Sequence, residues 1–136
     1  MSGASSVNVG AGFDLTFNNL FTWQGGNMDG GGTINANGPV DLTVFTHNIS
    51  DRTLNTAGSV TWSGGAISFA SVLPGTPEVI NNLATGTWTT NFDGAINGSG
   101  GTFVNNGTFT YTVNGITQTK SITRQIYASP LTVCKQ

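Results

Sequence analysis

The side chains that could supply carboxylate, imidazole or thiol chemistry are few and scattered. They are Asp14, Asp29, Asp41, Asp51, Glu78 and Asp93, one histidine (His47) and one cysteine (Cys134). Glycoside hydrolysis needs two carboxylates a few ångströms apart, one acting as acid and the other as base or nucleophile. Asp29 follows Trp23 by six residues and Asp93 follows Trp88 by five, which would set both at equivalent corners if the tryptophans mark equivalent strands. A cleft holding both, with Arg52 beside them, is the hydrolytic arrangement the spacing allows. The competing reading is that these are solvated turn residues, a position aspartate favours in any case.

Other chemistries find less support. A lone histidine gives a metal site or a Ser–His–Asp triad a single centre, and the Thr46-His47-Asn48 segment reads more simply as a surface loop. Asp29-Gly30-Gly31-Gly32 precedes no helix, so its glycines do not make a phosphate cradle. The nonapeptide calcium repeat is absent. One thiol excludes an internal disulfide and a multi-cysteine metal site. The sequence therefore predicts neither catalysis nor a cofactor.

Trp23, Trp62 and Trp88 form the remaining candidate site. Facing outward, three aromatics along one sheet would make a sugar-stacking platform; facing inward, they are core. Periodic tryptophan is ordinarily buried.

The elements that must position these residues are visible as a motif that returns four times, apolar–Asn–x followed by apolar–Thr–aromatic. Phe17-Asn18-Asn19 leads to Phe21-Thr22-Trp23, and Leu54-Asn55-Thr56 to Val60-Thr61-Trp62. Ile80-Asn81-Asn82 leads to Gly86-Thr87-Trp88, with Gly in the apolar place, and Val104-Asn105-Asn106 to Phe109-Thr110-Tyr111. Repetition in fixed order marks a stacked architecture. From Phe13 onward the apolar residues alternate with polar ones, the period of a strand with one buried face. Trp62-Ser63-Gly64-Gly65 repeats the Trp23-Gln24-Gly25-Gly26 turn.

The motif asparagines at 18, 55, 81 and 105 lie 37, 26 and 24 residues apart. Solenoid repeats run about 20–45 residues, so the first interval reads as two short coils and the others as one each. With Thr102 to Ile126 continuing the alternation, the expected fold is an all-β, right-handed parallel β-helix of about five to six coils. Residues 1–12 read as a frayed start or partial cap, 13–122 as solenoid repeats, and 123–136 as a tail or terminal strand. Pro74 and Pro77 bracket a loop. Asn18, Asn55, Asn81 and Asn105 are expected to form a side-chain ladder. A β-sandwich with antiparallel pairing is the alternative fold.

Composition narrows the function classes. Only 7% of residues are charged and the formal net charge is −2, against roughly a quarter charged in ordinary globular proteins. Arg52, Lys120, Arg124 and Lys135 cannot form a phosphate-tracking stripe, so nucleic acid is excluded as a partner. No apolar run reaches membrane-spanning length. The Gly-, Asn-, Thr- and Ser-rich composition is that of an exported protein, and the chain reads as a segment whose signal sequence lies elsewhere or was removed. The sequons at Asn48, Asn97 and Asn106 are what this composition produces by chance.

The runs Arg52 to Ile67, Val79 to Trp88 and Gly98 to Phe109 resemble repeats of large bacterial surface and secreted proteins, similar to autotransporter passenger and filamentous adhesin repeats. The resemblance covers roughly Phe13 to Val113. It implies a right-handed parallel β-helix on the cell surface or in the medium, acting as a non-enzymatic spacer or adhesive rod. Exposed strand edges at the ends of such a rod imply end-to-end self-association, and its long faces imply contact with glycans or a host surface. A carbohydrate-binding or polysaccharide-degrading β-helix is the alternative.

Overall fold

A computed structural model describes residues 6–8, 10, 12–70, 76, 78–98, 100–113, 116–120, 124–127 and 131–132, with side chains described only as far as residue 112. The described residues are all-β, and they wind as a parallel β-solenoid with three sheets as its sides. An opening strand, β1 (Ser6–Asn8), precedes four complete turns. The first is β2 (Leu15–Phe17), β3 (Phe21–Trp23) and β4 (Gly26–Asp29); the second is β5 (Gly32–Ala36), β6 (Val40–Leu42) and β7 (His47–Ile49). The third is β8 (Arg52–Thr56), β9 (Ser59–Trp62) and β10 (Ile67–Phe69), and the fourth β11 (Val79–Asn82), β12 (Thr87–Thr90) and β13 (Ala95–Asn97). A fifth turn begins with β14 (Thr102–Asn105) and β15 (Thr108–Val113).

Corresponding strands of successive turns stack in parallel: β1, β4, β7, β10, β13 in sheet A, β2, β5, β8, β11, β14 in sheet B, and β3, β6, β9, β12, β15 in sheet C. Parallel pairing of this kind rules out the β-sandwich. Four inter-turn steps give sheet B a rise of about 19 Å.

The stack is shorter than the five to six coils expected from the sequence. The first interval does hold two short turns, but the alternation beyond Val113 is not another coil. After β15 the chain reverses. The strands β16 (Ile116–Lys120), β17 (Arg124–Tyr127) and β18 (Leu131–Thr132) pair antiparallel with β15, β14 and β13 in that order. They thus travel sheet C to B to A, against the winding of the solenoid. Period-two patterning says which face of a strand is apolar; it carries no sign for strand direction, so a reversing strand and a further coil read alike.

Each short strand sends alternate residues inward, where register stacks them in columns. Leu15, Ile34, Leu54, Ile80 and Phe103 form one column inside sheet B. Met28, Ile49 and Phe69 do so inside sheet A. Inside sheet C, Phe21, Val40, Val60, Trp88 and Phe109 line up beside Trp23, Leu42, Trp62, Thr90 and Tyr111. Most of these side chains are sealed from solvent. A single coil has no partner for its inward face; stacking supplies one, and each large apolar side chain buried in this way contributes about 1.5–3 kcal/mol.

Candidate functional site

All three tryptophans point into the core, at 1%, 0% and 1% exposure for Trp23, Trp62 and Trp88. They cannot stack on a sugar, and the platform reading is corrected. They also do not share one column. Trp23 and Trp62 lie on the same register with Leu42 between them, whereas Trp88 stacks on Val60, two residues earlier.

Burial of an indole requires an acceptor for its N–H, and this explains the Trp-x-Gly-Gly repeat. Trp23 Nε1 donates to Gly25 O at 2.9 Å and Trp62 Nε1 to Gly65 O at 2.8 Å, so each ring clasps the turn that follows it. The turns bend through positive φ at Gly25, Gly26 and Gly65, where glycine carries no steric penalty. Trp88 instead donates to Thr56 Oγ1 at 2.9 Å.

The expected asparagine ladder exists in a different register. On the outer side of sheet B, Asn81 Nδ2 donates to Asn55 Oδ1 at 2.8 Å and Asn55 Nδ2 to Asn35 Oδ1 at 2.9 Å. Of the four predicted rungs, only Asn55 and Asn81 belong to it. Asn18 lies at the following corner and accepts from Asn37 Nδ2 at 3.0 Å. Asn105 is buried and accepts from Asn82 Nδ2 at 2.7 Å. The cause is a slip of the motif against the true register, since Val104 rather than Asn105 pairs with Asn81. A one-residue slip carries a side chain to the opposite face. Asn82 and Thr56 complete the interior polar group, with Thr56 Oγ1 at 3.5 Å from Asn82 Oδ1. A further pair, Asn48 Nδ2 to Asn27 Oδ1 at 2.8 Å, lies on the outer side of sheet A.

The carboxylates do not assemble as the sequence allows. Asp29 ends β4, at the corner from sheet A to sheet B, while Asp93 lies between β12 and β13, at the corner from sheet C to sheet A. The two belong to different corners and to the first and fourth turns, so no cleft holds both. Asp14 is exposed and accepts from the Thr33 amide at 3.1 Å. Asp41 faces outward from β6, half-buried.

Arg52 is the charged residue the sequence underrated. It is buried, and its Nε and Nη2 donate to Gly30 O at 3.0 and 2.8 Å. Burial lowers its pKa from the usual guanidinium value, with the charge of Asp29 opposing the shift. Asp51, also buried, turns the chain through φ 54, a left-handed conformation that aspartate tolerates. Glu78 occupies the next turn's position over Arg52, because Val79 pairs with Thr53. Its Oε1 is buried without a hydrogen-bond partner among the described residues. With Arg52, Asp51 and Glu78 each 1% exposed, this corner holds its ionisable side chains inside the wall.

His47 departs most from its expected surface loop. It is fully buried, its Nε2 donates to Trp23 O at 2.8 Å, and its ring meets the indole edge-on at a centroid distance of 4.8 Å. Burial lowers its pKa, and the nearby carbonyls of Trp23, Ala66 and Thr43 offset this only in part. The imidazole is a core group that also donates a hydrogen bond.

Among the described residues, no group of three or more His, Cys, Asp or Glu gathers in a way that could hold a metal, and no helix is long and apolar enough to cross a membrane. Cys134 and most of the Pro74–Pro77 loop lie outside the described residues. Comparison of the chain with protein-family models, curated proteins and solved structures gives no match.

Proposed function

We propose that this chain is a non-enzymatic structural or adhesive segment of a bacterial cell-surface or secreted protein. The observation that carries the reading is the use of polar side chains. Asparagines bond to asparagines along the outer faces of sheets A and B, and the buried ionisable groups sit in the wall at two separate corners. Such an arrangement stiffens a stack and leaves no paired carboxylates on an accessible surface. A rod of this construction would hold a distal element away from the cell and offer long faces for contact with glycans or a host surface. Its end-to-end association would use the outer edges of β2 and β3, where the described sheets B and C begin.

The test is incubation of the purified chain with a panel of soluble polysaccharides, with release of reducing ends as the readout. No release is expected from the native chain or from Asp29→Asn and Asp93→Asn variants. Release by the native chain that either variant abolishes would replace the structural reading with a hydrolytic one.

A further inference from the structure

The outer faces of the three sheets are not chemically alike. On sheets A and B the amides are engaged with one another, as described above. Sheet C carries hydroxyls instead. Outward residues alternate with the core residues of its strands, so β9 presents Ser59 and Thr61, β12 presents Thr87 and Thr89, and β15 presents Thr108 and Thr110. The register is unbroken: Ser59 pairs with Thr87 and Thr87 with Thr108, while Thr61 pairs with Thr89 and Thr89 with Thr110. The six side chains thus stand on a two-dimensional lattice, about 4.8 Å apart between turns and about 6.6 Å apart along each strand.

Three properties of this lattice narrow what can bind to it. Ser59, Thr61, Thr87 and Thr89 are exposed, and their hydroxyls make no hydrogen bond within the described protein. Threonine is stiff at χ1, so a row of threonines on a rigid sheet holds hydroxyls and methyls in fixed repeats. None of the six positions is charged, and the aromatic residues of the same strands point inward, with Trp62 and Trp88 fully buried. A periodic, uncharged face of this kind lacks the exposed rings on which sugars stack. It matches an extended partner that itself repeats a hydrogen-bonding oxygen at fixed intervals.

We propose that the outer face of sheet C binds ice. The hydroxyls would take the place of oxygen positions at the crystal surface, while the methyls between them keep intervening water ordered. Asp41, on the same rank in the second turn, bounds the regular region. This proposal is independent of the cell-surface reading; a rod with no affinity for ice would leave that reading intact.

The experiment is observation of single ice crystals in solutions of the purified full chain, recording crystal shape and thermal hysteresis, together with a recrystallisation assay. Faceted crystals and a measurable hysteresis are expected. Thr89→Tyr places a bulky ring on the middle rank of the lattice and Thr61→Tyr one on its first rank, and each should reduce both readouts to the buffer level. Thr53→Tyr, on the outer face of sheet B, should leave them unchanged. Circular dichroism and a melting curve establish that each variant is folded, and Thr89→Val serves as a smaller change at the same site. Unshaped crystals with the native chain, full activity in both folded lattice variants, or equal loss in Thr53→Tyr would each overturn the proposal. So would sedimentation with crystalline cellulose or chitin in place of any effect on ice.

Discussion

At the scale of single residues, His47 couples stability to pH. Its imidazole is enclosed by Trp23, the Thr43 and Ala66 carbonyls and the backbone of Gly65, and none of these groups can balance a positive charge by ionising. In the unfolded chain the ring takes up a proton near its ordinary value of 6.5, whereas in the folded chain burial holds the pKa lower. Between those two values the unfolded state binds more protons. Stability is therefore complete above about pH 6.5 and falls as the pH drops toward the folded-state value, by at most about 1.4 kcal/mol per pH unit. Urea unfolding of the native chain and of His47→Gln across about pH 7 to 5 should separate this contribution from that of the carboxylates. The glutamine amide can still donate to Trp23 O, and the midpoint of the variant should vary less over that range. Parallel pH dependence in the two proteins would remove His47 as the cause.

At the scale of elements, the corner between β6 and β7 stores strain. Val44 has φ 71, and Phe45 N donates to Thr43 O at 3.1 Å, closing a three-residue γ-turn. A β-branched residue at positive φ is a rare outlier, and strain of this kind costs about 1–3 kcal/mol. Val44 is 58% exposed, so its side chain returns little of that. The same corner one turn later holds Gly64 and Gly65. Val44→Gly should stabilise the chain by about 1 kcal/mol, the strain relieved less the entropy of glycine, read as a higher melting temperature. A lower melting temperature would mean that the Val44 side chain holds the corner. The fold class was legible because alternation and repeated turns are local properties of the sequence. Where register decides, the sequence was silent. Val104-Asn105 resembles Ile80-Asn81, yet its asparagine faces inward because Phe103, not Val104, stacks on Ile80. The hydroxyl pairs Ser59/Thr61, Thr87/Thr89 and Thr108/Thr110 stand at period-two spacing in the sequence, but that they form one lattice depends on which strands are neighbours. Likewise, nothing local distinguishes Asp29 and Asp93 as occupants of different corners.

At the scale of the whole molecule, each turn contacts chiefly the turns above and below it, and stability should be close to a sum over turns and their interfaces. Removal of one register-matched turn is then a defined operation. Asn82 stacks on Thr56, and deletion of residues 57–82, 26 residues by the difference of those two numbers, joins Thr56 directly to Leu83. In the shortened chain β12 takes the place of β9, with Trp88 over Val40 and Thr90 over Leu42, and β13 takes the place of β10, with Ile96 over His47. The interior polar group keeps a member at each level, because Thr56 comes to lie beneath Asn105. Folding should survive with a lower melting temperature, and the unfolding enthalpy should fall by about 18 kcal/mol near about 60 °C, at about 0.7 kcal/mol per residue. Scanning calorimetry measures this directly. Loss of the cooperative transition would show that the removed strands β9, β10 and β11 make interactions that no others can replace, and the Arg52 corner, which deletion parts from Glu78, would be the first place to look. A cooperative transition of the expected size would show instead that the turns are interchangeable units, and that the length of the rod can change by whole turns without redesign of its ends.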